Sequence, residues 1–240
     1  MILPGGESLA VVTISRQHAS GGDEIALKLA ERLGYDHVNK ELISEVARRA
    51  SVPESEVERF DDRAESPISR FLSKLFSSEK YTSYLGIGSA YLESSAPYYL
   101  PSVALLEVCS TDLPSLEREE FVRFITATIK DLHRRGNVVI VGRGGQAVLR
   151  DESDVVHIRI VAPFKFRCQR LAERLDLPLK EAAERLKEMD KGRMNFLKQC
   201  FNVNPNDLSL YHMIINAAKV DRETAVRSIA DLVRSTEVER

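Results

Sequence analysis

Two glycine-centred strings, each following a short apolar run, hold the residues best suited to chemistry. The first, Ser15-Arg16-Gln17-His18-Ala19-Ser20-Gly21-Gly22-Asp23-Glu24, follows Val11, Val12 and Ile14. Gly21 and Gly22 let the backbone come close to a ligand at the point where a helix begins. Free N–H groups and the helix dipole then converge on one spot, which suits an anion and above all a phosphate. The second string, Gly142-Arg143-Gly144-Gly145, follows Val138 to Val141. A guanidinium there offers a fork of donors that matches phosphate oxygens in pairs, and its glycines admit close approach. The alternative is an arginine that merely caps its own turn.

Set against the phosphate-loop pattern GxxxxGK[ST], with Gly21 as the second glycine, the first glycine falls on Arg16, the lysine on Gly22 and the hydroxyl residue on Asp23. The lysine and the magnesium-holding hydroxyl are both missing, and Glu24 adds a second acid. Positive charge must then come from elsewhere. Arg167 and Arg170 lie three apart, hence side by side on a helix, and Asp190, Arg193 and Phe196 form a further cluster with Lys187, Lys191 and Lys198 nearby. A charged run of this kind also suits a solvated helix face. His18, His37, His133, His157 and His212 show no metal-ligand spacing, and no histidine or cysteine dyad for nucleophilic catalysis is present. His18 stands out because it lies inside the first glycine turn.

The elements that position these residues alternate. Val11 to Ile14 reads as a buried parallel strand, and Ile25, Ala26, Leu29, Ala30 and Leu33 recur at helical spacing up to a stop at Gly34. Tyr35–Asn39 is a short strand, followed by helices over 40–50, 51–62 and 67–76. Ser77 to Pro101 is rich in Ser, Gly and Tyr, and Tyr81, Tyr84, Tyr91, Tyr98 and Tyr99 fit either a lobe over a nucleobase or a contact between protomers. A long helix from Pro114 ends at Arg134, Arg135 and Gly136. Strands follow at Val138–Val141, Asp154–Val161 and Tyr211–Asn216, then a closing amphipathic helix over Asp221–Val238. Strand, helix, strand in repetition predicts a doubly wound α/β fold with ligands beyond the carboxyl ends of the strands.

Composition narrows the field. The 240 residues are 43% hydrophobic and 29% charged, which suits one α/β domain with an insertion. A formal net charge of −2 gives no overall attraction to nucleic acid or to an acidic membrane surface. Cys109, Cys168 and Cys200 lack CxxC spacing, so neither a zinc site nor a disulfide framework is expected, and a reducing cytoplasm fits best. No apolar run reaches membrane-spanning length, and Met1 to Gly6 does not read as a signal peptide.

The string TISRQHASGGDEIALKLAERLG resembles the opening of the cytidylate kinase-like proteins, a family within the P-loop nucleoside monophosphate kinases, in which a lysine-free loop is common. Ala19 replaces the usual glycine there, and Asp23 a usual basic residue. Asn39, Lys40 and Glu41 stand where the family carries Asp-Lys/Arg-Glu, and Asn39 suits either a helix cap or a substrate contact. VIVGRGGQAVL resembles the third strand and its Gly-Arg-Gly turn, and APFKFRCQRLAER the arginine-bearing strand-to-helix segment. LKEMDKGRMNFLKQCF is similar to the lid pattern Asp-x-x-Arg followed by an aromatic. YHMIIN is similar to Tyr-Asp-Leu-Val-Ile-Asn, with His212 in the acidic place. The likeness runs from Thr13 to Ile229 and is least close between Ser77 and Pro101.

That resemblance implies a P-loop NTPase-like three-layer α/β fold with a parallel sheet of about five strands. A single kinase-like domain over 1–240 would carry a helical monophosphate-binding insertion over 36–115 and a lid-like region over 176–205. It implies ATP with Mg2+ at the first turn, contacted by Ser15, Gln17, His18, Ala19, Ser20, Gly21, Gly22, Asp23 and Glu24, with Asn216 beside the adenine. The acceptor, CMP, dCMP or a related small molecule, would meet Asn39, Lys40, Gly142, Arg143, Gly144, Arg170 and Asp190. Arg16, Arg167 and Arg193 would stabilise charge on the moving phosphoryl group, with no protein nucleophile and no metal-ligating residue required. A homo-oligomer is compatible with all of this. The second reading is a regulatory module that keeps the fold and binds nucleotide without turnover; Asp23 alternatively helps to hold magnesium.

Overall fold

The structure, a computed structural model, describes residues 10–39 and 115–238. The helices expected over 40–50, 51–62 and 67–76, the tyrosine-rich segment, Lys40, Cys109 and most of the 36–115 insertion lie outside the described residues.

In chain order come β1 (Val11–Arg16), α1 (Gly22–Leu33), β2 (Asp36–Val38), α2 (Ser115–Arg135), β3 (Val138–Val141), α3 (Gly145–Val148), β4 (Val155–Val161), α4 (Phe164–Leu175), α5 (Leu179–Phe201), β5 (Met213–Asn216) and α6 (Arg222–Val238). The five strands form one parallel sheet in the order β2-β3-β1-β4-β5. With two strands on either side, β1 is the centre of the sheet, and its carboxyl end opens onto both glycine turns.

Alternation along each strand builds two cores. Val12, Ile14, Val139, Val141, Val156, Ile158 and Ile160 face α1 and α6, where Ile25, Leu29, Ile229 and Val233 close the layer. Val11, Val138, Ile140 and Val155 face the other way, onto Ile125, Ile129 and Leu132 of α2 and onto Phe196 and Leu197 of α5. Burying each large aliphatic side chain contributes about 1.5–3 kcal/mol, so helices that are weak alone are fixed by the sheet. The ends of α1 follow local chemistry. Gly21 at φ 90° opens the helix, and Gly34 at φ 70° ends it with its N–H on the carbonyls of Ala30 and Glu31.

Strand ends shift by one or two residues from the sequence reading, as β1 runs on to Arg16, β2 shortens to Asp36–Val38 and β4 starts at Val155, and two further boundaries have a local cause. β5 starts at Met213 instead of Tyr211, because Tyr211 closes a 3-10 turn over Leu208–Leu210, its N–H on the Leu208 carbonyl. Asp221 lies outside α6 as its cap, accepting from the Thr224 N–H at 2.9 Å. The 176–205 region is built around one 23-residue helix, α5.

The α2 side of the sheet changes character along the strands. Register pairs Val11 with Val155, then Thr13 with His157, then Ser15 with Arg159. Those last four residues are 1–4% exposed, so a buried polar ladder leads from the apolar core to the carboxyl edge of β1.

Candidate functional site

The first turn is held from within. Gln17 Oε1 accepts from the Ala162 N–H at 3.0 Å, and the Ser20 hydroxyl donates to the Gln17 carbonyl at 2.8 Å. Ala19 sits at φ 57°, where a side chain other than glycine's costs about 1–2 kcal/mol. That strain persists because both sides of the turn are pinned.

Gly22 occupies the lysine position for a steric reason. A Cβ there would lie 2.5 Å from Arg16 Cβ and 2.9 Å from its Cγ, so Arg16 fills the space in which a lysine stem would begin. The Arg16 side chain then crosses to the second turn, where a Cβ on Gly142 would lie 2.6 Å from Arg16 Nη1. Its Nε donates to Asp23 Oδ1 at 2.9 Å. One guanidinium thus lies between the two glycine turns.

The other acids near the turn are taken as well. Arg170 pairs with Glu24 at 2.8 Å and flanks Gly21. Arg167, 4% exposed, pairs with Asp190 at 2.8 Å and donates to the carbonyls of Ala162 and His18. The two arginines share a helix face as expected, yet Arg167 works inside the scaffold, tying α4 to α5 and to the turn. Asn216 Oδ1 accepts from the Ala218 N–H at 3.1 Å, which shapes the loop after β5. Asn39 follows β2 at the sheet edge beside β3.

The second turn is the more open. Gly142, Arg143 and Gly144 have φ of 81°, 50° and 79°, three successive residues in the left-handed region. Glycine tolerates this and Arg143 does not, so strain is stored where the chain aims its arginine. The Arg143 guanidinium stands 5.5 Å from the Phe196 ring, within cation–π range. A Cβ on Gly144 would meet the Phe201 ring at 2.5 Å, which presses the turn against the end of α5.

Between the turns and α5 lies a cleft of about 60 Å³, room for a phosphoryl-sized group, lined by Ser15, His18, Gln146 and the arginines Arg16, Arg143 and Arg193. No carboxylate lines it among the described residues. Arg193 comes from α5, one turn after Asp190, and its Nη1 approaches Ser15 Oγ at 3.4 Å. Burial, and next the charge of Arg159, bring the Arg193 guanidinium down to about 10. It stays cationic at neutral pH. Gln146 is 2% exposed, and its amide nitrogen has no partner among the described residues. Three convergent cations and a buried amide suit an anion.

Sequence reasoning missed Gln146, Arg159 and Tyr211. Arg159 donates to the Tyr211 hydroxyl at 3.0 Å and to Asn206 Oδ1 at 2.9 Å, behind the cleft. The signal was in DVVHIRIV: polar residues at alternate positions of an otherwise apolar strand, opposite Thr13 and Ser15, mark a buried polar face.

The fit of the implied groups can be judged from these contacts. The turn, the start of α1 and Arg16 suit the phosphates of ATP. Magnesium held there would draw on Asp23 and Glu24, each of which has one carboxylate oxygen on an arginine, Arg16 and Arg170 respectively. Among the described residues the group of three that could hold a cation, His133, Glu152 and Asp154, lies at the opposite edge of the sheet, before β4 begins. No helix of the described residues is long and apolar enough to cross a membrane.

Known proteins resemble this chain in part of its sequence and in its fold. The chain is 29% identical over 98 residues to a cytidylate kinase of Methanopyrus kandleri, covering 38% of this chain and 51% of that one. It is 30% identical over 103 residues to the cytidylate kinase of Methanococcus aeolicus, covering 42% of this chain and 57% of that one. The chain thus spans about half the length of the curated relatives it matches. A crystal structure of an uncharacterized protein from Eubacterium ventriosum superposes with TM-score 0.59 at 22% identity, over 95% of this chain and 99% of that one, which shows the shared fold. The profile of the cytidylate kinase-like family matches residues 11–219, and the chain belongs to that family.

Proposed function

We propose that the protein is an ATP-dependent phosphotransferase of the nucleoside monophosphate kinase kind, with CMP, dCMP or a related small acceptor as substrate. The observation that carries this reading is the position of Arg16: its stem overlies Gly22 of the first turn and its Nη1 lies over Gly142 of the second. A phosphoryl group passing between nucleotides held at the two turns would travel past that guanidinium. Such transfer needs positioning and positive charge more than a protein nucleophile. ATP bound at the first turn supplies the phosphoryl group. Arg143 and Arg193 hold the acceptor's phosphate in the cleft, and α5 serves as the lid-like element of a single kinase-like domain. Arg167 and Asp190 hold α5 in register with the turn. Magnesium bound with ATP would neutralise phosphate charge, with Asp23 and Glu24 as the acids beside the first turn.

Labelled ATP incubated with a panel of nucleoside monophosphates and other small acceptors tests the proposal. Transfer to at least one of them, lost in Arg193→Ala, is expected. A regulatory module without turnover is favoured by a separate observation, the pairing of Arg16 and Arg170 with the acids of the loop itself. Calorimetric binding of ATP with no transfer to any acceptor would establish that second reading.

A further inference from the structure

Behind the cleft stands a guanidinium that does not line it. Arg159 is 3% exposed on β4, opposite Ser15 in the sheet register. The partners that hold it are neutral: the Tyr211 hydroxyl at 3.0 Å, Asn206 Oδ1 at 2.9 Å, and the Tyr211 ring at 5.3 Å from its guanidinium carbon. Tyr211 is fixed in turn, its hydroxyl donating to the Pro205 carbonyl at 3.0 Å. Arg159 Nη1 also approaches Ser15 Oγ at 3.5 Å, and Arg193 Nη1 approaches the same oxygen from the cleft at 3.4 Å.

Two guanidinium groups thus converge on one hydroxyl, and among the described residues neither forms an ion pair. Asp190, the acid nearest in sequence to Arg193, is bound to Arg167 at 2.8 Å. Like charges drawn together out of water are costly unless a counter-charge arrives. The hydrogen-bond partners of Arg159, Tyr211 and Asn206, are neutral, so the counter-charge that suits the pair is an anion in the cleft beside Arg193.

We propose that Arg159 is a positioning residue of the anion cleft, a buried second cation that turns Arg193 toward the ligand through Ser15 and makes the cleft prefer a dianion, such as a phosphate monoester, to a monoanion such as a carboxylate. This rests on the kinase reading only in that the acceptor's phosphate is the dianion expected there. The charged and titratable groups facing Arg193 are Arg159 from β4, Arg16 from β1, Asp190 from its own helix and Tyr211 from the segment before β5. His18 and Arg143 complete the lining. Arg193 itself titrates near 10, so a change in binding across neutral pH in which sulfate does not share belongs to the ligand.

Calorimetry of inorganic phosphate and of sulfate binding, on either side of the second ionisation of phosphate, is the test. Sulfate stays dianionic and reports the protein; phosphate changes charge. In the full chain, phosphate affinity is expected to rise about tenfold relative to sulfate as phosphate becomes a dianion. In Arg159→Met both dianions weaken about tenfold and that rise disappears, whereas Arg159→Lys restores the rise. If Arg159→Met folds and keeps either full sulfate affinity or the full rise, Arg159 is only structural and the proposal is overturned. Should Arg159→Met not fold, Tyr211→Phe decides. It removes the hydroxyl that holds one arm of Arg159 and that approaches Ser15 Oγ at 3.4 Å, without removing charge, so sulfate should weaken about threefold with the rise intact, and unchanged sulfate affinity overturns the proposal. Turnover is not read in these experiments. Arg159-dependent phosphate binding in a protein that phosphorylates no acceptor sinks the kinase reading alone, and a working kinase whose anion binding ignores Arg159 sinks this inference alone.

Discussion

Replacing Gly142 by alanine separates the fold from the site. Gly142 has φ +81°, a conformation that costs an alanine about 1–2 kcal/mol. The new Cβ would lie 2.6 Å from Arg16 Nη1 and 3.7 Å from Arg16 Cζ, with no other heavy atom within 4 Å. Both atoms are the far end of a flexible side chain, so the clash relaxes by moving the guanidinium and adds little to the loss of stability. Gly142→Ala should therefore lower the melting temperature by only about 2–8 °C, from about 2–4 °C per kcal/mol in a domain of this size. Anion binding should suffer far more. Losing a charge-assisted donor costs roughly 1.5–3 kcal/mol, or about 10- to 100-fold in affinity. Calorimetric titration with phosphate measures the binding, and denaturant unfolding the stability. Arg16→Ala supplies the control: with that side chain gone, Gly142→Ala should leave affinity nearly unchanged while its cost in stability persists. Equal losses of affinity in the two backgrounds would refute the placing of Arg16 over the second turn.

Other perturbations follow from the same contacts. Gly22→Lys, which writes the missing lysine back into the loop, should reduce stability by about 1–3 kcal/mol or more and fail to improve nucleotide binding, since its Cβ meets Arg16 near the backbone where nothing can yield; denaturant midpoints and ATP titration read both effects. Glu24→Gln releases Arg170 beside Gly21 and removes a negative charge from the turn, so ATP should bind roughly two- to tenfold more tightly, and weaker binding confined to magnesium-containing buffer would instead make Glu24 a metal ligand. His157 is held neutral by burial and next by His212, its pKa lowered from 6.5 to about 4. The unfolded chain therefore binds the proton first, and stability should fall by about 2 kcal/mol as pH drops from 7 to 5, levelling off below 4. Denaturant midpoints of His157→Gln over the same interval should lack that slope.

The legible parts of this molecule are those in which a single period or a single glycine decides the outcome. Val11 to Ile14 and Val138 to Val141 are short, apolar and β-branched, and they became neighbouring strands of the parallel sheet. Gly34 ended α1 because glycine takes φ 70° without strain, with its N–H on two carbonyls. What could not be read was pairing across the sheet. Arg167 and Arg193 have the same side chain and equally suggestive spacing in the sequence, yet Asp190 takes one and leaves the other facing the cleft. The absent lysine became intelligible only when Arg16 was seen above Gly22. In the sequence the two are separate oddities, an arginine where a glycine belongs and a glycine where a lysine belongs. In space they are one solution: the arginine fills the volume of the lysine stem, which forces the glycine, and carries its charge on to the second turn. Under the proposed function the cation of the loop stands on the central strand instead of on α1. A cation mounted on β1 reaches both turns, whereas a lysine on α1 would serve the first alone, and under the proposed function that reach makes the cleft and the loop one site.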